Sequence, residues 1–348
     1  MGTHSNPSRR RSVLILAPRH DSPHTLRQSG KLSNPSRRQF PPLAPRSRSE
    51  SSVVRRGVYD EEYIQYLVNL IKLMPQYGIK CFIDPHQDVY SRATGGSGAP
   101  EWTLNLVAGF NVANLRATGA VVPTASSGEE ARANGDAKIW PSGYNKLAAA
   151  TMATLFWAGG TFAPLRKVRR DFHAGWRDNK GSEFVSTETF LQDSMIAAFA
   201  RLAQSIKGLE AVIGIEIINE PHRGYIELLS PFSWDYTTDL AIGHFPTALQ
   251  GFALGSGHPV LVDNFAEKFP YPVTAKVGQT KMRSPGGVSV WLQGEGKGCI
   301  WEEHGVWKWK SRTNEPVMLR CDYFTRHPET GVDVEWYRSV LSIPFSAL

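Results

Sequence analysis

Ala211-Val-Ile-Gly-Ile-Glu-Ile-Ile-Asn-Glu-Pro-His222 decides how the rest of the sequence is read. Residues 212–218 contain five β-branched side chains, which suit a pleated strand covered on both faces. Pro221 has no N–H to continue a ladder, so the strand should stop where Asn219, Glu220 and His222 appear. In parallel α/β architectures ligands bind beyond the carboxyl ends of strands, which puts Glu220 where a catalytic carboxylate is expected. The strand pattern alone also allows Glu220 to cap the next helix or pair at the surface.

Working outward, helix, glycine stop and strand occur twice. Residues 187–207 carry Phe190, Met195, Ala198, Phe199 and Leu202 at helical spacing, and Gly208 ends them just before the quoted strand. Residues 60–74 place Tyr63, Leu67, Leu70, Ile71 and Met74 on one helical face, with acids in the first turn where the helix dipole favours them. Gly78 stops that helix, and residues 80–84 (Lys80-Cys-Phe-Ile-Asp84) read as a second buried strand. This is the repeating unit of an α/β protein.

The second strand ends in Asp84-Pro-His-Gln-Asp-Val-Tyr-Ser-Arg92, followed by Gly95-Gly-Ser-Gly-Ala-Pro100. Asp84, His86 and Asp88 alternate and could share one face of an extended segment, a pattern from which a metal site is conceivable. No second ligand cluster stands out, and we assign no metal. The glycine-rich loop matches neither phosphate-binding pattern and reads as a turn.

The remaining elements are plainer. Residues 101–142 read as loop, and residues 144–158 as a helix apolar all round. That helix is either deeply buried or faces lipid, with burial the expectation. Residues 242–255 read as partly helical, 258–262 as a short strand and 294–298 as a turn. Residues 299–309 are dense in Trp (Trp301, Trp307, Trp309), which suits sugar stacking or a packed loop equally. No periodic helix ends the chain.

The chain of 348 residues can bury a sizeable core as one large domain or two ordinary ones. Its net charge of +7 is unevenly spread. Residues 1–56 hold 11 Arg and 1 Lys against Asp21 and Glu50, a net of +10, leaving −3 for residues 57–348. The basic stretch is rich in Ser and Pro and repeats Ser-Asn-Pro-Ser-Arg-Arg at 5–10 and 33–38. It reads as a disordered tail. Its composition is like a mitochondrial transit peptide without the amphipathic stripe. Charge alone allows contact with nucleic acid or an anionic membrane, but a solvated tail is the expectation and no nucleic-acid partner is expected. Cys81, Cys299 and Cys321 form no CxxC pair, which favours a reducing compartment over a disulfide framework or zinc site. No apolar run reaches the ~18 to 20 residues of a membrane span, and residues 13–17 are too short for a signal core. A cytoplasmic or peripheral-membrane location follows.

Residues 217–222 (Ile217-Ile-Asn-Glu-Pro-His222) resemble the Asn-Glu-Pro signature of family 5 (clan A) glycoside hydrolases. The segments 84–92 and 95–100 are similar to those of fungal enzymes that cleave β-glucosides of sterols and ceramide, relatives of endoglycoceramidase. Residues 299–301, 304–307, 317–320 and 322–324 resemble the same subfamily, and the likeness covers roughly 57–345.

This resemblance implies a (β/α)8 TIM barrel, a retaining mechanism with two carboxylates about 5 Å apart and no cofactor. It makes Glu220 the general acid/base and gives Asn219 the contact to the sugar 2-hydroxyl. It also places His86 and Asp88 at the glucose subsite, with Gln87 behind them. The substrate would be a glucosylated lipid, with peripheral membrane contact; the oligomeric state is not implied. Against the family pattern, residues 1–56 offer no counterpart of the first two strands or of the Arg ending the second, and the chain stops before the nucleophile region. The expectation is an incomplete barrel over residues 57–348. Glu295, Glu302, Glu303, Glu315, Glu329 and Glu335 are acidic candidates for the nucleophile, but none has the family's context and none is assigned. The alternative function is a sugar- or lipid-binding chain without catalysis.

Overall fold

Two helix–strand units build the part of the fold that carries the site. The computed structural model of the chain describes residues 13–16, 56–121, 140–171, 183–234, 241–268, 274–282, 284–294, 298–336 and 338. Strand β1 (Val13–Leu16) comes first, followed by helix α1 (Glu61–Leu73) and β2 (Lys80–Ile83). Asp60 caps α1 by accepting the Tyr63 N–H at 2.9 Å, and Gly78 takes the left-handed conformation (φ 67°) that turns the chain into β2. The long helix α2 (Leu147–Phe162), the hairpin β3 (Lys167–Arg169) and β4 (Phe184–Ser186), helix α3 (Thr187–Ile206) and β5 (Val212–Ile215) follow. Ser186 caps α3 through the Thr189 N–H, and Gly208 (φ 77°) repeats the turn of Gly78 before β5.

The rest of the chain adds β6 (Gly243–His244), α4 (Ala248–Gly255), β7 (Val260–Glu267), β8 (Thr274–Met282), α5 (Ile300–Glu303), β9 (Trp307–Lys310) and β10 (Glu315–Met318). Strands β1, β2 and β5 form one parallel sheet in that order, with Leu16 opposite Ile83 and Ile83 opposite Ile215. Three antiparallel pieces surround it: β3 with β4, β6 with β7 and β8, and β9 with β10.

The parallel sheet stops at three strands, and among the described residues no closed barrel forms. The α/β class and the incompleteness agree with the sequence reading. The stretch expected to be a tail nevertheless supplies β1, whose backbone pairs in parallel with β2 from Val13 opposite Lys80 to Leu16 opposite Ile83. The other residues before Arg56 lie outside the described set, as does most of 101–142 beyond Val121.

Strand β5 corrects the reading that opened the sequence analysis. It ends at Ile215 rather than Ile218, and it is covered on one face only. On that face Val68, Ile71 and Met74 of the first unit pack with Cys81, Ile83, Ile206 and Ala211. On the other face Ile213 is 62% exposed, and beyond the strand Ile217 is 41% exposed. An edge strand in a sheet lined by helices on one side leaves half of its apolar side chains in water.

The main core is built around α2, of whose sixteen residues fourteen are buried, so this helix is internal and not lipid-facing. It is bent at Ala158 (φ −151°), and the Gln192 side chain donates to the Phe156 carbonyl at 2.8 Å just before the bend. Gly159 lets α3 approach: a Cβ there would sit 2.1 Å from Thr187 Oγ1. Farther back, Thr154 receives the N–H of Tyr225 at 2.8 Å, which seats the chain after β5 on α2.

Gly224 makes that seating possible. Its φ is 61°, and a Cβ would meet the Ala150 carbonyl at 2.4 Å and the Thr154 amide at 2.7 Å, both of them backbone. Gly224→Ala should therefore cost roughly 2–4 kcal/mol, from left-handed strain plus overlap with a helix that cannot yield. Gly214→Ala, with nothing within 4 Å of its Cβ, should change stability by less than about 0.5 kcal/mol. Denaturant unfolding of the two variants measures this contrast, and equal stabilities would refute it.

Candidate active site

The C-terminal ends of β2 and β5 are neighbours, so the polar segments that follow them meet. Glu220 is exposed and adopts φ 42°, a conformation uncommon for a residue with a side chain. It is held there from the β2 side. The Gln87 side-chain amide donates to the Glu220 carbonyl at 2.9 Å and to the Asn219 carbonyl at 3.2 Å, while its oxygen accepts the Tyr90 N–H at 3.3 Å. The Asn219 N–H reaches the Pro85 carbonyl at 3.4 Å. Asn219 and Glu220 thus share one clamped turn.

His86 lies between two carboxylates. Its Nε2 donates to Asp88 Oδ2 at 3.0 Å, and its Nδ1 is 3.8 Å from Asp84 Oδ2. Asp84 is buried, and its Oδ1 has no hydrogen-bond partner among the described residues. The alternating side chains therefore do converge, but as an imidazole bonded to Asp88. Among the described residues no group of three His, Cys, Asp or Glu is disposed to hold a metal ion.

Tyr144, which no local sequence signal marked, joins the same cluster. Its hydroxyl donates to Asp88 Oδ1 at 3.1 Å, and its ring stacks on His222 with centroids 4.8 Å apart at 22°. Burial, followed by the charge of Asp88, raises the Tyr144 hydroxyl above the usual phenol value, and Glu220 is close enough to act in the same direction. His222 accepts the Gly224 N–H at Nδ1 (3.0 Å), which leaves its proton on Nε2. Burial, and then the neighbouring Arg223, pull this imidazole down to about 3, so it is neutral at physiological pH.

The glycine-rich loop serves the same cluster. Ser97 and Asp88 exchange backbone hydrogen bonds at 2.7 and 3.2 Å, and the Ala99 N–H reaches the Tyr90 carbonyl at 2.8 Å. A Cβ on Gly96 would lie 1.8 Å from the Asp88 carbonyl, so only glycine allows this approach. The loop is a turn that fixes residues 88–91.

Glu220, Asn219, His86 and Asp88 are thus brought to one place. The nucleophile candidates are dispersed. Glu303 pairs with Arg166 at 2.8 Å, Glu315 with Lys310 at 3.8 Å and Glu335 with Arg338 at 2.9 Å; Glu302 and Glu329 are exposed, and Glu295 lies outside the described residues. The Trp-rich stretch is not a sugar platform. Trp301 and Trp307 are fully buried, donating to Thr151 Oγ1 and Cys299 Sγ, and only Trp309 reaches the surface, stacked on His258 at 4.1 Å. Among the described residues no helix is long and apolar enough to cross a membrane.

No family model matches the sequence. The chain is 43% identical over 288 residues to a glucosylceramidase of Cryptococcus neoformans, covering 81% of this chain and 37% of that protein. It is 30% identical to an ergosteryl-β-glucosidase of Saccharomyces cerevisiae over 79% of this chain and 38% of the other. The crystal structure of sterylglucosidase 1 from Cryptococcus neoformans superposes with a TM-score of 0.69 at 30% identity, over 83% of this chain and 41% of that one. The chain therefore spans about two fifths of the length of the relatives it matches. On the strength of this kinship, the chain belongs to the glycoside hydrolase family of the fungal glucosylceramidases and steryl-β-glucosidases.

Proposed function

We propose that this chain carries the acid/base half of a retaining β-glucosidase site for glucosylated lipids, steryl glucoside or glucosylceramide. The observation that carries the proposal is the clamped turn at the end of β5, which presents Glu220 beside Asn219 and within the cluster of His86 and Asp88. In this reading Glu220 protonates the glycosidic oxygen as the bond to the anomeric carbon breaks. The carboxylate so formed then takes a proton from the water that hydrolyses the glycosyl intermediate. Asn219 bonds the 2-hydroxyl, His86 and Asp88 hold the glucose, and the nucleophile is unassigned. Since the substrate is a lipid, the protein would work at a membrane surface without crossing it, facing the cytoplasm.

A second reading, glucoside or lipid binding without hydrolysis, has its own support. Glu220 is exposed, and the acidic candidates among the described residues are held in ion pairs away from it or lie exposed. Glucose release from steryl glucoside, glucosylceramide and an aryl β-glucoside separates the two. Calorimetric binding with no release favours the second, and neither release nor binding defeats both.

Where turnover is found, Glu220→Gln should reduce it by ~100 to 10,000-fold for a poor leaving group. Full turnover in that variant removes Glu220 from its role. The loop that carries Glu220 is also acid-sensitive. The folded His222 titrates near 3 and an unfolded histidine near 6.5, so below pH 6.5 the unfolded chain binds the extra proton and stability falls with pH. The slope from this group is roughly 1.4 kcal/mol per pH unit. His222→Phe should remove about one proton from the slope of stability against pH between 5 and 6.5, measured by urea unfolding, and an unchanged slope would contradict it.

A further inference from the structure

We infer that Tyr144 is a positioning residue of this site, whose phenol hydroxyl fixes the Asp88 carboxylate. The inference rests on the reading of Asp88 as a sugar-binding group and deepens it.

Tyr144 gives its proton to Asp88 Oδ1 at 3.1 Å. Asp88 Oδ2 is taken by His86 at 3.0 Å. The two carboxylate oxygens are therefore held by donors from different parts of the chain, one from the β2 loop itself and one 56 residues later. A carboxylate oxygen can accept more than one hydrogen bond, so each oxygen keeps acceptor capacity. A fixed carboxylate with spare capacity on both oxygens suits adjacent hydroxyls of a hexopyranose.

Asp88 precedes a strained turn. Val89 is buried at φ 50° and Tyr90 has φ 72°, conformations that β-branched and bulky residues leave unless the surroundings over-determine them. Asp88 is tied there by its backbone to Ser97 and by its side chain to Tyr144. Tyr144 itself has a firm base. It lies in the 3₁₀ segment Trp140–Asn145 that leads into buried α2, between buried Gly143 and Asn145. Its ring rests on neutral His222 in the loop that carries Glu220. A purely packing role would need the ring and not the hydroxyl, and this difference is what an experiment can read.

The test uses the full chain, 4-nitrophenyl β-glucoside as the probe, and the variants Tyr144→Phe, Asp88→Asn and their combination. Tyr144→Phe keeps the ring on His222 and loses the hydrogen bond to Asp88. It should weaken glucoside affinity by ~10- to 100-fold, the range for a bond to a charged group. The melting temperature should move by no more than about 4 °C. The double variant should bind no more than ~3-fold worse than Asp88→Asn alone, since Tyr144 acts through Asp88. Wild-type affinity in Tyr144→Phe, or losses that simply multiply, overturn the inference. If the unmodified chain binds no glucoside, the proposed function fails separately, and a crystal structure of ligand-free Tyr144→Phe then decides for Tyr144. The Asp88 carboxylate should leave its wild-type position while the ring at position 144 stays on His222, and an Asp88 carboxylate that stays in place overturns the inference.

Discussion

The side-chain amide of Gln87 is the contact on which the site depends. Its nitrogen serves two successive carbonyls, of Asn219 and Glu220, and its oxygen serves the Tyr90 amide. One planar group thereby joins the segments that follow β2 and β5. Adjacent parallel strands lie about 4.8 Å apart, so their carboxyl ends are within reach of a side chain of this length. Without the amide, the left-handed Glu220 would have no donor holding its carbonyl, and the turn would have no reason to stay in a costly conformation.

Three residues with side chains at positive φ, Val89, Tyr90 and Glu220, occupy the two loops that Gln87 connects. The segment containing Gly96 exchanges backbone hydrogen bonds with Asp88, the Ala99 N–H donates to the Tyr90 carbonyl, and Gln87 donates to the Glu220 carbonyl. Behind them stands α2, whose Thr154 accepts the Tyr225 amide and whose backbone leaves room only for glycine at 224. The local strain is thus carried by a rigid, fully packed helix, which is how a loop can hold polar groups at fixed distances.

The elements whose signals are local were legible in the sequence. The acids of the first turn, the apolar spacing at 63–74 and 190–202, and the glycine stops at 78 and 208 marked α1, β2, α3 and the start of β5 to within a few residues. That Asn219, Glu220, His86 and Asp88 come after strand ends was legible in the sequence, whereas the roles expected of them rested on the resemblance to family 5 glycoside hydrolases. Tyr144 was not, since its only neighbours in sequence announce a helix and its partner Asp88 is brought close by the fold alone. The burial of Trp301 and Trp307 was equally hidden, because density of Trp does not say which side of a surface the rings occupy. Their indole N–H groups settle it by finding Thr151 and Cys299 inside the core.

Strand β5 is where composition and structure disagree, and the disagreement bears on the chemistry. Its β-branched residues suit a strand covered on both faces, yet Ile213 and Ile217 are exposed, and so is Glu220 just beyond. A carboxyl acts as a general acid near neutral pH when burial or a neighbouring negative charge favours its protonated form. Gln87 fixes the backbone of Glu220 but supplies no apolar wall for its side chain. Cover over the bare face of the sheet would remove the two isoleucines from water, and were it to extend past the end of β5 it would desolvate Glu220 as well. The clamped turn sets where the Glu220 side chain is presented, and the exposed Ile213 and Ile217 mark the open face of the sheet beside it.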